Sequence, residues 1–335
     1  MTYRFKIARR LARARSRVWL AGLVVTAACS AGDGGTGPAA DQPPADPGAE
    51  PALASATSCL SQTGPLVVLS GSQKTYDTRT TAKPSTRIDA RAATWYGSTA
   101  FPVKVGSTSA PGACWSGGSI TGTFSTSVSW RTTHSTAAMF MESPGFVIEN
   151  VKINNYGDGV RILEYTDNWT IRGSRFTTLR DDCVENDRLY SGLIDDTFFE
   201  GCYVFLSERP GTGVDIPVDG RQETVTIQNS LVWLKPMPQV YRGTAPGTGP
   251  LFKWDNDRDR GTRLVINNTI FRIDQKPNHG DLKIPSSLVS CSNNTIVWLG
   301  SGPYPERVPS CFKVTTSRAV WDNAVAAWKA AHPGM

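Results

Sequence analysis

Acidic residues are concentrated in one short segment, residues 180–209. It reads RDDCVENDRLYSGLIDDTFFEGCYVFLSER and holds the densest group of carboxylates in the chain. Carboxylates that share a site repel one another, so that one can stay protonated as an acid while another stays ionised as a base. A row of carboxylate oxygens also suits Ca²⁺. The segment therefore predicts either acid–base chemistry or a calcium site. The alternative is that arginines neutralise the carboxylates and the segment has no function.

The candidate catalytic residues lie in this segment and at two positions outside it. Glu185 and Asp187 alternate along one predicted strand, so their side chains lie on the same face. Lys253, in the segment LFKWDND, is a candidate base for a lyase reaction. The full set of candidate catalytic residues is Asp158, Asp181, Asp182, Glu185, Asp187, Arg180, Arg209 and Lys253.

Residues outside this set give weaker indications of a functional role. The candidates for a sugar-stacking platform are Trp233, Trp254 and Trp298. The insertion at 235–250 is a loop that would form one wall of a groove. His134 stands alone in the middle of the chain, which is typical of a hydrogen-bonded surface histidine.

Short segments of similar design recur along the chain, and each is a candidate coil of a solenoid. Each has alternating apolar residues, then Asn, Gly or Asp at one fixed point, then alternation again. The segments are FVIENVKI (146–153), WTIRGSRF (169–176), SGLIDDTFF (191–199), VTIQNSLVWL (225–234), LVINNTIFRI (264–273) and CSNNTIVWL (291–299). The fixed points are Asn150, Gly173, Asp196, Asn229, Asn268 and Asn294, in steps of 23, 23, 33, 39 and 26 residues. Such steps indicate coils that differ in loop length.

Stacking is the way in which such coils bury a core. Successive coils pair in parallel at about 4.8 Å, with Ile and Val inside and Asn at a corner that needs a left-handed backbone. We therefore predict an all-β fold, a right-handed single-stranded parallel β-helix over residues 57–315. Trp321, Val325 and Trp328 share one helical face and predict a short amphipathic helix at 316–335 that covers the open end of the solenoid.

A register between coils follows from counting residues after the corner. The count stacks Asp158 on Asp181 and places Glu200 beneath Asp181 in the next coil. It also places Cys202 beneath Cys183. Three carboxylates at coil spacing repel one another, and the candidate Ca²⁺ ligands are therefore Asp158, Asp181 and Glu200.

The first 28 residues carry the features of an export signal. Seven basic residues and no acid precede an apolar run at 18–28, and Cys29 follows. This order resembles a bacterial lipoprotein signal, in which the cysteine is diacylated, and the alternative is an ordinary secretory signal. Residues 29–56 are rich in Gly, Pro and Ala and predict a flexible tether. The resemblance implies an exported lipoprotein anchored to the cell envelope through Cys29 alone.

The charge of the chain gives no indication of nucleic-acid binding. Its 35 Lys and Arg exceed 29 Asp and Glu, but seven of the basic residues belong to the leader. The remainder has 28 basic and 29 acidic residues, a net charge of −1. No basic tract interleaved with aromatic residues occurs elsewhere, so we exclude nucleic acid as a partner.

Six cysteines remain after Cys29 is assigned to lipid, an even number that favours disulfides in an exported chain. The coil register favours one pair, and sequence proximity favours the other two. We predict the bonds Cys183 to Cys202, Cys59 to Cys114, and Cys291 to Cys311.

The segment ACWSGGSITGTF (113–124) and the coils from Phe146 onward resemble the pectin-lyase-like β-helix superfamily, over most of residues 60–315. The block at 180–211 is more similar still to uncharacterised exported bacterial β-helix proteins. The superfamily consists largely of polysaccharide lyases and hydrolases, so the resemblance implies a polysaccharide as the partner.

The polygalacturonase pattern of that superfamily is matched in part. NYGDG places Asp158 near the acid of its N-x-D-G motif, and RDDC supplies Asp181 and Asp182 for its D-D pair. GCYV (201–204) stands where G-H-G is expected, and no R-x-K follows.

Two functions of different classes remain. We expect a cell-envelope protein whose β-helix binds or cleaves an acidic polysaccharide, as a lyase or a hydrolase. A lyase would use Lys253 as the base and an arginine or Ca²⁺ to neutralise charge. The alternative is a non-catalytic binding or structural β-helix at the cell surface, which the absence of G-H-G and R-x-K favours.

Overall fold

The computed structural model describes residues 58–210, 219–243, 245–254 and 260–335. The export signal, the lipidation site Cys29 and the tether predicted for residues 1–56 lie outside these ranges. No helix within them is long and apolar enough to cross a membrane.

Strands make up most of the described chain, and they follow the recurring apolar segments of the sequence. In chain order they are β1 (Leu66–Gln73), β2 (Tyr76–Asp77), β3 (Arg87–Gly97), β4 (Val103–Val105), β5 (Cys114–Ser116), β6 (Ser119–Gly122), β7 (Ala137–Met141), β8 (Val147–Glu149), β9 (Lys152–Asn154), β10 (Asp158–Ile162), β11 (Trp169–Arg172), β12 (Arg175–Glu185), β13 (Gly192–Asp195), β14 (Phe198–Glu208), β15 (Thr224–Gln228), β16 (Leu231–Leu234), β17 (Phe252–Trp254), β18 (Arg263–Asn267), β19 (Ile270–Ile273), β20 (Leu288–Ser292), β21 (Asn294–Trp298) and β22 (Phe312–Thr315). The helices are α1 (Trp130–Thr133) and α2 (Arg318–Ala331), and a 3-10 turn spans Cys59–Ser61.

Every pairing between these strands is parallel, which confirms the predicted parallel β-helix. The strands form three faces around the core. The first face contains β1, β3, β5, β8, β11, β13, β15, β18 and β20. The second contains β3, β6, β9, β12, β14, β16, β19, β21 and β22, and the third contains β2, β4, β7, β10, β12, β14 and β17. The long strands β3, β12 and β14 each contribute to two faces.

The inward residues of the repeat stack through the core of the solenoid. On the first face, fully buried isoleucines pair in register from coil to coil: Ile148, Ile171, Ile194, Ile227 and Ile266. Each such side chain stabilises the fold by about 1.5–3 kcal/mol through removal from water. The same period points their neighbours outward, onto the surface of the first face.

The corner between the first and second faces has the predicted left-handed backbone. Its φ values lie between 46° and 57° at Asn150, Gly173, Asp196, Asn229, Asn268 and Asn293. Asn268 donates to Asn229 Oδ1 at 3.3 Å and accepts from the amide of Asn293 at 3.1 Å. The prediction of Asn294 as the last corner residue is wrong by one position. Asn294 is buried and accepts a hydrogen bond from the N–H of Thr269 at 3.0 Å.

The three predicted disulfides are confirmed. Their Cα–Cα distances are 5.8 Å for Cys59 with Cys114, 5.5 Å for Cys183 with Cys202, and 5.9 Å for Cys291 with Cys311. All three lie within the range that an unstrained bond needs. Together they indicate an oxidising environment outside the cytoplasm.

Helix α2 lies along the second face of the solenoid. Its residues Trp321 and Trp328 are buried against Phe198, Leu231 and Val297, which belong to different coils. Its 14 residues correspond to a length of about 21 Å, enough to cross about four coils. The expectation that this helix covers the open end is therefore wrong, because its apolar face meets outward residues of several coils.

Candidate functional site

A bulge in β12 decides which acids meet. Between its paired segments, β12 has one residue more than the preceding coil, and its register with β14 shifts between Leu179 and Asp182. The extra residue moves Asp182 beside Asp158, and the Asp182 N–H donates to Asp158 Oδ1 at 3.1 Å. The predicted stacking of Asp158 on Asp181 is wrong, because counting residues cannot recognise a bulge.

Arg161 joins two of the carboxylates. Its Nε donates to Asp158 Oδ2 at 2.9 Å and lies 3.2 Å from Glu185 Oε1. Glu185 is its register partner on the next strand. The guanidinium also lies over the ring of Phe140, 5.5 Å from its centroid. Arg161 is thus the arginine that neutralises the acids.

Asp182 is a fully buried carboxylate with a single cationic partner. Lys253 Nζ lies 3.0 Å from Asp182 Oδ2, while Asp182 Oδ1 has no hydrogen-bond partner among the described residues. Burial raises the pKa of Asp182 to about 6, although Lys253 offsets part of the effect. The protonated form of this carboxyl is therefore accessible near neutral pH.

Lys253 is held in its charged form. Burial alone would lower the pKa of Lys253, but Asp182 and Asp187 outweigh burial and raise it. An ammonium group in this state does not accept a proton from a substrate. The predicted role of Lys253 as a lyase base therefore has no support in the geometry, whereas a role in charge neutralisation does.

His134, at the end of α1, contacts the acids from outside the repeat. Its Nδ1 lies 3.4 Å from Asp181 Oδ2, and its ring stacks on Trp130 with 4.5 Å between centroids. The hydrogen bond with Asp181 raises the pKa of His134. Burial and the neighbouring Asp182 raise the pKa of Asp181, and His134 offsets this in part.

Glu185 and Asp187 lie at the accessible edge of these acids. Burial, followed by the charge of Asp158, raises the pKa of Glu185 well above its ordinary value, against the opposing effect of Arg161. The Glu185 side chain nevertheless retains 20% exposure. Asp187 Oδ1 accepts hydrogen bonds from Ser207 Oγ at 2.6 Å and from a backbone N–H at 2.9 Å.

The arginines predicted at 180 and 209 do not pair with these acids in the described part of the chain. Arg180 donates to the carbonyls of Ser125 and Val128, at 2.9 and 2.7 Å, and so fixes the loop that leads to α1. Arg209 contributes its backbone N–H to Asp187. We call Asp158, Asp181, Asp182 and Glu185 the carboxylate cluster.

The predicted set of calcium ligands needs correction at two positions. Glu200 pairs in register with Thr177 and forms ion pairs with Arg175 and Lys329 on the second face, away from the cluster. The bulge that displaces Asp181 places Asp182 in the row instead.

A different set of acids has the spacing of cation ligands. Among the described residues, Asp158, Asp182 and Glu185 each offer one oxygen, and the three oxygens lie within 4.8 Å of one another. Arg161 and Lys253 already bind these carboxylates, so that Ca²⁺ would have to compete with both cations.

The loop predicted to form a wall packs beside the cluster. Met237 and Val240 cover Tyr203 on β14, and Tyr241 contacts the ring of Trp130 at 4.7 Å between centroids. The loop at 235–250 and the insertion that contains α1 thus meet next to the acids.

The predicted stacking platform does not exist. Trp254 and Trp298 are buried in the core, and Trp233 lies on the second face under Arg272. A shallow pocket of about 350 Å³ lies on the first face near Thr170 and Leu193, away from the carboxylate cluster.

Sequence reasoning missed the part that His134 plays in the site. Its segment is an insertion between the second and third faces and carries no repeat position from which a register could be counted. The available signal was its length, since residues 123–136 separate the consecutive strands β6 and β7. Long insertions in solenoids typically carry binding residues on one face.

Comparison with family models, curated proteins and solved structures found no match to this chain.

Proposed function

We propose that this protein is a polysaccharide-processing protein of the cell envelope, of the pectin-lyase-like type, that hydrolyses glycosidic bonds at the carboxylate cluster. The observation that carries the proposal is the position of Glu185. Its carboxyl has a strongly raised pKa and remains at the accessible edge of a group of otherwise buried acids. A carboxyl group with a raised pKa in a mostly buried environment can act as the general acid of an enzyme.

The proposed reaction uses two carboxyl groups. Protonated Glu185 donates its proton to the glycosidic oxygen as the bond to the anomeric carbon breaks. Water adds to that carbon and gives its proton to ionised Asp181, whose side chain retains 7% exposure beside His134. Exchange with solvent then returns both groups to their starting states.

The third face offers a surface that suits a polymer. Residues of successive coils pair in the order Phe140, Arg161, Glu185, Ser207 and Lys253. These positions repeat at about 4.8 Å along the axis. A glycan chain lying along the solenoid would therefore meet an aromatic ring, two cations and the proposed acid in turn.

Turnover of a panel of polyuronates and bacterial exopolysaccharides, with and without EDTA, tests the proposal. We expect new reducing ends without the ultraviolet absorbance of an unsaturated uronate. Glu185→Gln should lower the rate by about 100-fold or more. Glu164→Gln, which removes an exposed carboxylate paired with Arg188, should leave the rate unchanged.

Other outcomes of that panel are equally decisive. Unsaturated products would establish a lyase in place of a hydrolase. Loss of activity in EDTA would establish that the reaction depends on a divalent cation, for which Asp158, Asp182 and Glu185 are the candidate ligands. No cleavage of any polymer, or full activity of Glu185→Gln, would overturn the hydrolase proposal.

A non-catalytic glycan-binding protein is the second candidate. The observation that favours it is the complete burial of Asp158 and Asp182, each of which is engaged by a cation. Under this function a polysaccharide binds without being cleaved, and Glu185→Gln binds it as tightly as the unaltered protein does.

A further inference from the structure

The first described residues are fixed to the outside of the first face, in the middle of the solenoid. Ser58 Oγ donates to Glu149 on β8 at 2.8 Å, and the N–H of Cys59 donates to the same carboxylate at 3.1 Å. The disulfide of Cys59 with Cys114 then joins the chain to β5. The point at which the N-terminal segment meets the solenoid is therefore known to within one coil.

From this point the chain runs toward the beginning of the solenoid. The carbonyl of Leu60 accepts from Arg87 Nη1 on β3 at 2.8 Å, and β1 begins at Leu66. Residues 58–66 therefore cross the first face strand by strand, in the order β8, β5, β3 and β1. Traced backwards from Ser58, the same line leads past β8 to β11, β13 and β15.

The shallow pocket of the first face lies on that line, and we call it the first-face groove. Its outward residues Thr170 on β11, Leu193 on β13 and Thr226 on β15 pair in register from coil to coil. Thr170 also pairs with Val147 on β8, so the groove begins one coil beyond the strand that binds Ser58. The residues that line the groove carry no charge.

The segment that precedes Ser58 matches the groove in length and in composition. Residues 51–57 read PALASAT and are uncharged, and Leu53 is the one large apolar side chain within residues 30–57. The chain from Leu53 to Ser58 can span about 17 Å when extended, whereas the three coils from β8 to β15 occupy about 14 Å. Leu53 can therefore reach the outward side chain of Leu193.

We propose that the first-face groove is the docking site of residues 51–57 of this chain. An uncharged segment on an uncharged groove buries apolar surface without burying a charge, and its attachment at Cys59 keeps it at a high effective concentration. Docking does not depend on the proposed reaction. It would lead the N-terminal segment away along the first face, so that the carboxylate cluster on the third face stays unobstructed.

Disulfide trapping in the full chain tests the docking. Leu53→Cys is combined with Thr226→Cys in one variant and with Val68→Cys in a matched control. Val68 is 65% exposed on β1 and lies three coils from Glu149 in the opposite direction, so an undocked segment would reach both positions equally. Under mild oxidation, followed by peptide mapping, we expect the bond to position 226 to form about tenfold faster or more than the bond to position 68.

A charge on the floor of the groove should abolish this difference. Leu193→Asp, added to Leu53→Cys and Thr226→Cys, places a carboxylate under the docked segment and should reduce the rate to that of the Val68→Cys control. Val289→Asp is the matched substitution and should leave the rate unchanged, because Val289 is 58% exposed on β20, outside the groove. If Leu193→Asp fails to fold, the comparison of the two cysteine pairs decides the question alone.

Equal rates for the two cysteine pairs, or faster bonding at position 68, would rule out the docking. An unchanged rate in a folded Leu193→Asp variant would also rule it out. A bond from position 53 to position 226 that joins two molecules would overturn the assignment to the chain's own segment and would establish a second copy as the occupant. None of these results would affect the hydrolase proposal, which is tested by turnover.

Discussion

Replacing Asp182 with asparagine measures the energetic effect of burying its carboxylate. Burial raises the pKa of Asp182 from 3.8 to about 6. Because the pKa is higher in the folded state, the folded protein keeps the proton up to a higher pH than the unfolded chain does. The contribution of this group to stability is therefore fully present below pH 3.8 and is lost as the pH rises to about 6, which we call the titration window. The difference between 3.8 and about 6 corresponds to about 3 kcal/mol lost above the higher value.

The Asp182→Asn variant carries no charge and escapes this loss. The pKa of about 6 already includes the attraction of Lys253, so no separate term for that ion pair is subtracted. We therefore expect the variant to exceed the unaltered protein in stability by about 3 kcal/mol above the titration window, and to match it below. A gain in stability on removal of a buried charge is typical of functional sites.

Urea unfolding followed by tryptophan fluorescence, at pH values on either side of the window, measures this difference. Asp89→Asn is the control, because Arg91 lowers the pKa of Asp89 and neutralisation should reduce stability at the higher pH. A difference between Asp182→Asn and the unaltered protein that is the same at both pH values would refute the reasoning.

Three further predictions concern the fold. Asn268→Ala should cost about 1–3 kcal/mol in urea unfolding, because it breaks two hydrogen bonds at a left-handed position; equal stability would argue against the asparagine ladder. Trp328→Ala removes a buried ring packed 5.4 Å from that of Phe198 and should cost about 3–5 kcal/mol. Hydrogen exchange should then quicken in α2 and not in the strands. Replacing both Cys183 and Cys202 with serine should lower stability by about 2–4 kcal/mol, and an unchanged urea midpoint would contradict this.

The parallel β-helix was predictable because its signals are local and repeated. A left-handed corner favours Asn or Gly, and the apolar alternation on each side of it recurs in every coil. These preferences act within a few residues, so they can be read without knowledge of the tertiary structure. The corner at Asn293 was missed by one position, because two asparagines stand side by side there.

The carboxylate cluster was predictable only in part. Parallel stacking brings together acids from adjacent coils, which is why Asp158, Asp182 and Glu185 converge as a group. The exact neighbours depend on one extra residue in β12, between Leu179 and Asp182, and a shift of one position exchanges Asp181 for Asp182. Glu200 left the predicted calcium set for a separate reason, because it pairs with Thr177 on the second face.

The sequence by itself determined the repeat, the disulfide partners and the segment in which the acids lie. Tertiary structure decided the burial of each acid, because the depth of a side chain depends on the insertions that cover its coil. It also decided that His134 and Lys253 reach the acids, since His134 lies in an insertion with no repeat position and Lys253 lies on a strand that follows a long loop. Groups far apart in sequence thus became two pairs, His134 with Asp181 and Lys253 with Asp182, in which the acid lies inside and the basic group outside. Local sequence patterns carry no information about that arrangement, because burial and charge pairing depend on residues brought together by the whole fold.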